Sequence, residues 1–301
     1  MDNIIKCIQE ESIGKYIENA RLSNYTTYKV GGLARIIVYP TDEKKLIKLL
    51  KYLRKEKITY KIIGNGSNLL FSDKDYNGVL VKLDKLDSLH IINNTIRVGA
   101  GYNLMLLANL MTKRGLSGLE FATGIPGTVG GAVYMNAGAY NSDMGYIVKK
   151  VKVLTANLEV ITLSNSEMDF HYRSSMLQKK KDYVCLEATI KLKYGNKQEM
   201  INIVKDRKQR RIESQPLEFP SAGSVFRNPK DNFAGKLIED LGLKGLTKGG
   251  AQISPKHANF IVNIGNAKAN DIKELIEFVR DSIKENYNID LKVEQEFVNW
   301  E

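Results

Sequence analysis

Only two cysteines, Cys7 and Cys185, occur in 301 residues, which excludes a disulfide scaffold, and no His/Cys/Asp/Glu cluster has the spacing of a metal site. Both thiols read as reduced, and no bound metal is expected. Long apolar runs are also missing: nothing approaches the roughly 18 consecutive apolar residues of a membrane span. The start, Met1-Asp2-Asn3-Ile4-Ile5-Lys6, lacks the apolar centre of a secretion signal. A cytoplasmic protein with no membrane insertion is therefore expected. There is no Gly-Lys-Ser/Thr for a nucleoside triphosphate. Aromatic residues, at 8%, form no recognisable base-stacking motif, which argues against nucleic acid as a partner.

What is present is an ordinary globular composition, 43% hydrophobic and 26% charged, in a chain long enough for about two domains. Lysine and arginine exceed aspartate and glutamate by 45 − 34 = 11, so the surface should attract anions. The basic runs at Lys44 to Lys57 and Lys205 to Arg211 fall inside helical patterns and read mainly as solvated faces.

Asp42 should begin a helix with Leu46, Leu49, Leu50 and Leu53 on one face. Strands are expected at Thr59 to Ile63, Gly78 to Leu83, Leu89 to Ile92 and Thr95 to Val98, and a helix from about Leu104 to Gly115. Alternation at Val148 to Leu154 and Val160 to Leu163 predicts a hairpin. Leu186, Ala188, Ile190, Leu192 and Tyr194 continue with period two, one face buried. A composition shift at Gly195-Asn196 suggests a boundary, giving domains 1–195 and 196–301. Beyond it lie a basic helix to about Ile212, a short helix near Phe233 to Leu241, and a C-terminal helix that Asp271 and Glu274 should open as a capping box.

The densest feature is Gly118 to Tyr140, where Gly124, Gly127, Gly130 and Gly131 crowd around Pro126 and Thr128 with no lysine or arginine. Such a stretch presents backbone to a ligand: glycine permits positive φ and close approach, and successive N–H groups can converge on an anion. A second loop, Gly64-Asn65-Gly66-Ser67-Asn68, follows a strand but leads into more strands. It lacks the helix, and the acidic residue about 20 positions on, of a Rossmann turn. Two such loops in one strand-rich region suit an extended diphosphate, and so FAD bound without a Rossmann fold.

An ordered set of motifs then resembles the UDP-N-acetylenolpyruvoylglucosamine reductases: Asn24 to Gly32, Gly64 to Leu70, Gly118 to Tyr140, Tyr172-Arg173-Ser174-Ser175, Ser221 to Pro229, and Lys248 to Ala251. The resemblance implies an α+β fold: an FAD-binding module of the vanillyl-alcohol-oxidase (PCMH) type in two subdomains, then a C-terminal α+β substrate domain. It implies NADPH as cosubstrate, non-covalent FAD, and reduction of the enolpyruvyl ether of UDP-N-acetylglucosamine, with no obligate protein partner. The implied cofactor-binding residues are Gly64, Asn65, Gly66, Ser67, Asn68, Gly124, Ile125, Gly127, Thr128, Gly130 and Gly131.

On the same resemblance Arg173 is the cation facing the substrate carboxylate, Ser224 the proton donor to C2, and Glu294 the C-terminal catalytic acid. Asn228 matches a family position that helps hold the UDP diphosphate, and Arg211, in the basic helix, is the first candidate by charge to face that diphosphate. The family usually shows Glu-Val-Arg where this chain has Glu294-Gln295-Glu296, which leaves Glu296 as a rival to Glu294. The short interval between Arg173 and Ser224 resembles the compact variety that lacks an inserted tyrosine-bearing loop. Another oxidoreductase on the same FAD module is the alternative enzyme reading.

Overall fold

A computed structural model describes residues 2–300 as two compact units: 2–18, 36–65 and 77–208 in the first, and 19–35, 66–76 and 209–300 in the second.

In the first unit the helix Glu43–Lys55 begins as its sequence dictates. Asp42 accepts the Lys45 N–H at 3.0 Å, and that hydrogen bond is the main reason its carboxyl lies below the usual range. Leu46, Leu49, Leu50 and Leu53 are fully buried. They belong to one core with Val79 and Val81 of the strand Tyr76–Lys82, which pairs in parallel with Tyr60–Ile63. An antiparallel five-stranded sheet runs in the order Val160–Ser164, Val148–Leu154, Val184–Lys191, Thr95–Gly99, Leu89–Ile92. Its hairpin turns where Thr155 Oγ1 accepts the N–H groups of Asn157 and Glu159, both at 3.2 Å. The expected period-two face holds from Leu186 to Leu192 and then fails. Tyr194 is 71% exposed because Lys193–Tyr194 leaves this sheet to pair with Leu116–Ser117.

The helix Lys197–Ser214 carries the chain from the first unit into the second. There the helix Ala269–Tyr287 packs its Ile272, Leu275, Ile276, Val279 and Ile283 stripe into a core with Tyr28, Leu70 and Phe226. Its start corrects the expected capping box: the helix begins before Asp271, not at it. Asp271 is the third helical residue and accepts the Lys268 N–H at 2.9 Å, while Asp73 accepts the N–H groups of Ala269 (2.8 Å) and Asn270 (3.0 Å). A distant carboxylate thus does the work a local Asp-x-x-Glu would have done. Antiparallel strands Thr247–Lys248, Ala251–Ile253 and Ile261–Asn263 complete this core with the parallel pair Leu69–Phe71 and Glu296–Val298.

Candidate active site

Two glycine-bearing segments that are far apart in sequence touch in the first unit. A Cβ on Gly64 would lie 2.8 Å from Thr128 Oγ1, so only glycine allows this approach. Beneath it Lys82 donates to Gly64 O at 2.7 Å; this lysine is 7% exposed and pairs with Asp84 at 3.3 Å. Thr128 caps the helix Val129–Met135, its hydroxyl accepting the Gly131 N–H at 3.3 Å. None of Gly124, Gly127, Gly130 and Gly131 uses the positive φ that glycine permits. Nor do Gly130 and Gly131 offer free N–H groups. Gly130 donates to Ala100 O at 2.8 Å, and its absent side chain lets the helix start close against Ala100. Ile125 N–H is likewise taken, by Ala122 O at 3.1 Å. The N–H groups of Gly124, Gly127 and Thr128 have no backbone acceptor among the described residues.

The same helix holds the Arg173 turn. His171 and Ser174 exchange two backbone hydrogen bonds of 3.0 Å, with Arg173 at the tip in the left-handed region, φ 53°. Such a conformation costs a non-glycine residue about 1–2 kcal/mol, and surrounding contacts must impose it. They do: Tyr134 O accepts from Ser175 Oγ (2.7 Å) and Gln178 Nε2 (3.0 Å), Asn136 Nδ2 donates to His171 O (2.8 Å), and Gln178 Nε2 donates to Arg173 O (3.1 Å). The guanidinium carbon lies 5.4 Å from the Tyr172 ring centre.

In the second unit Ser224 and Glu294 stand on adjacent antiparallel segments. Glu294 N–H donates to Val225 O at 2.8 Å, Arg227 N–H to Lys292 O at 2.9 Å, and Phe226 bridges Val293. Asn259 fixes the other edge, its side chain bonding both the N–H (3.0 Å) and the carbonyl (2.8 Å) of Phe226. Glu296 differs from its rival: its N–H goes to Asn68 O at 2.9 Å, whereas Asn68 Nδ2 donates to Glu294 O at 3.1 Å. Gly66 takes φ 63° against Tyr25, and its carbonyl accepts the Thr27 N–H at 3.3 Å. Asn228 Oδ1 accepts the Ala234 N–H at 3.1 Å at the start of the helix Ala234–Asp240. Arg211, in the last turn of the basic helix, is partly buried. Gly64, Asn65, Gly124 to Gly131 and Arg173 belong to the first unit, and Gly66 to Asn68, Arg211, Ser224, Asn228 and Glu294 to the second.

Lys82, Asn259 and Gln295 were not singled out by sequence reasoning. Lys82 had a signal, a lysine closing the apolar run Val79-Leu80-Val81. The other two had none, because their partners are far away in the chain.

Residues 34–164 match the FAD binding domain family, and residues 215–298 the C-terminal domain of UDP-N-acetylenolpyruvoylglucosamine reductase. Over 299 residues, 99% of each chain, the protein is 48% identical to the UDP-N-acetylenolpyruvoylglucosamine reductase of Anoxybacillus flavithermus. The chain belongs to the UDP-N-acetylenolpyruvoylglucosamine reductase family. The Bacillus subtilis reductase is 44% identical over 99% of both chains. The solved reductase of Thermus caldophilus superimposes with a TM-score of 0.80 at 34% identity, covering 94% of this chain and 98% of that one. A pollen glucose dehydrogenase, Phl p 4.0202, shares the fold alone: TM-score 0.50 and 13% identity over 74% of this chain and 52% of its own. The fold is α+β, with an FAD-binding module of the vanillyl-alcohol-oxidase type.

The residues present fit the cofactor of that reductase family. Gly64 packs against the Thr128 side chain where the two loops meet, and among the described residues the N–H groups of Gly124, Gly127 and Thr128 have no backbone acceptor. This is the donor set a diphosphate requires.

Proposed function

We propose that this chain reduces the enolpyruvyl ether of UDP-N-acetylglucosamine to UDP-N-acetylmuramate, a peptidoglycan precursor, in the cytoplasm, with NADPH and non-covalent FAD. The near-full-length match at 48% identity carries the assignment. Among the described residues no helix is long and apolar enough to cross a membrane. Cofactor binding is assigned within residues 1–195 and substrate binding to residues 196–301.

FAD supplies the two-electron hydride chemistry that side chains lack. Gly64 to Asn68 and Gly124 to Gly131 would hold it, with Lys82, paired to Asp84, bracing the Gly64 carbonyl. Gly64 and Gly130 serve by omitting a side chain, and Gly124, Gly127 and Thr128 by donating N–H.

As the vinyl group is reduced, negative charge grows at C2 and in the adjoining carboxylate. Arg173 answers that charge: its guanidinium is always protonated and its planar fork matches a carboxylate. The constrained turn supports this role, because a donor already fixed in place needs little reorganisation as charge develops. Ser224 gives its hydroxyl proton to C2. A hydroxyl is a weak acid, so the step needs an acceptor as basic as a carbanion-like carbon. Glu294, whose backbone pairs beside Ser224, polarises the enol or carboxyl region. Glu296, two residues on with its main-chain N–H on the Asn68 carbonyl, is its rival. Arg211 and Asn228 bind the UDP diphosphate, Asn228 through the amide nitrogen that its helix-capping oxygen leaves available.

The test is direct. Purified protein should be yellow, NADPH should bleach it without oxygen, and the UDP-enolpyruvyl substrate should restore the colour while UDP-N-acetylmuramate forms. Colourless protein that does not take up FAD, or colour that returns without product, contradicts the assignment.

A further inference from the structure

The segment from Lys292 to Val298 changes partners midway. Residues 292–294 pair antiparallel with 225–227, and Glu296–Val298 pairs in parallel with Leu69–Phe71. Gln295 stands at the changeover. Were the first ladder to continue, residues 295 and 296 would face 224 and 223; instead Glu296 N–H bonds Asn68 O. The carbonyl of Gly223 therefore needs another donor. Gln295 Nε2 supplies it, reaching Ala222 O and Gly223 O, both at 3.3 Å. Its Oε1 accepts from the Tyr28 hydroxyl at 3.0 Å, across 267 positions of sequence. Tyr28 is tied down in turn, its carbonyl accepting from Asn263 Nδ2 at 3.0 Å.

The clamp is dry: Tyr28 is 0% and Gln295 5% exposed. Both ends of the amide are used, so its orientation is fixed by chemistry and not by packing alone. Side chains alternate along an extended segment, so an inward Gln295 places Glu294 and Glu296 together on the opposite face. The residue held from behind is Gly223, in the left-handed region at φ 73°, and the next is Ser224. An apolar residue here makes none of these bonds.

We infer that Gln295 is a positioning residue: with Tyr28 it fixes the Ala222-Gly223 turn and thereby aims the Ser224 hydroxyl. The inference rests on the proposed donor role of Ser224. Its consequence is confined to the proton step. Electron delivery from NADPH does not use this turn, and the clamp touches no charged group.

The test uses Gln295→Met, which keeps the volume and removes both polar ends, and Gln295→Glu, which keeps the acceptor for Tyr28 and donates only when protonated. Each is followed in anaerobic single-turnover experiments beside wild type and Ser224→Ala. Reduction by NADPH should stay at wild-type speed in all of them. Substrate-driven reoxidation should slow about 10- to 100-fold in Gln295→Met, the scale of a misaimed reacting group. In Gln295→Glu it should recover toward wild type as pH falls and the carboxyl regains a donor. Amide hydrogen exchange across 222–225 in the resting protein should quicken in Gln295→Met, a readout independent of turnover. If Gln295→Met does not fold, the pH response of Gln295→Glu decides. Wild-type reoxidation in both Gln295 variants, with Ser224→Ala slow, overturns the clamp and spares the donor. Wild-type reoxidation in Ser224→Ala overturns the donor role itself.

Discussion

Asn259 is a buried asparagine that holds Phe226 at both its N–H and its carbonyl, and its own N–H donates to His257 Nδ1 at 3.2 Å. Nδ1 can accept only while the imidazole is neutral. Burial lowers the His257 pKa; a hydrogen bond to its own backbone opposes this, with smaller contributions from Lys244 (lowering) and Glu239 (raising). The sign follows: as pH falls below about 6.5 the unfolded chain takes up this proton before the folded one, so stability drops toward the depressed folded value. His257→Gln keeps an acceptor and removes the titration. Its melting temperature should fall less than wild type between about pH 7.5 and 5.5, by a few degrees. Equal falls would show that His257 does not couple to stability. At this scale Arg173, Ser224 and Glu294 could be singled out because each sits in a recognisable string. Gln295, Asn259 and Lys82 were not, because what defines them is a hydrogen bond to a partner that spacing cannot reveal.

Among the elements, capping and close approach give the sharpest expectations. Gly64 cannot carry a Cβ without moving Thr128. Gly64→Ala should therefore weaken FAD binding about 10- to 100-fold, the equivalent of 1–3 kcal/mol of overpacking, measured by flavin titration of the apoprotein. Unchanged affinity would dissociate this contact from the cofactor. Asp73 accepts the first N–H groups of the helix Ala269–Tyr287, and Asp73→Ala should lower stability by about 1–2 kcal/mol in denaturant unfolding. A loss near zero would mean that Asp271 suffices alone. The helices at Asp42 and Asn103 were legible because their caps are local and their apolar stripes regular. The helix at Ala269 was misplaced by a cap that comes from residue 73. The glycines stood out in the sequence by their density; in the structure Gly64 and Gly130 serve close packing and helix entry, and none of Gly124, Gly127, Gly130 and Gly131 takes a positive φ.

For the whole molecule, two cores and an FAD-binding fold follow from a chain of common composition, and the family was legible because its motifs recur in order across nearly the full length. Its two-unit partition was not, since the second unit recruits residues 19–35 and 66–76 from early in the chain. Cofactor linkage gives one expectation here. FAD-free protein should melt lower than FAD-loaded protein, and its midpoint should climb with added FAD, because a ligand that binds only the native state stabilises it by mass action. A midpoint independent of FAD would be incompatible with the fold assignment.

In the proposed function, electron delivery and proton delivery belong to different residues of this chain. Anaerobic stopped-flow absorbance of Ser224→Ala tests it most directly. The variant should bleach with NADPH at the wild-type rate, yet on addition of the UDP-enolpyruvyl substrate recover its colour at least about 100-fold more slowly, as loss of a general acid implies. Equal slowing of both halves, or recovery at the wild-type rate, would contradict it.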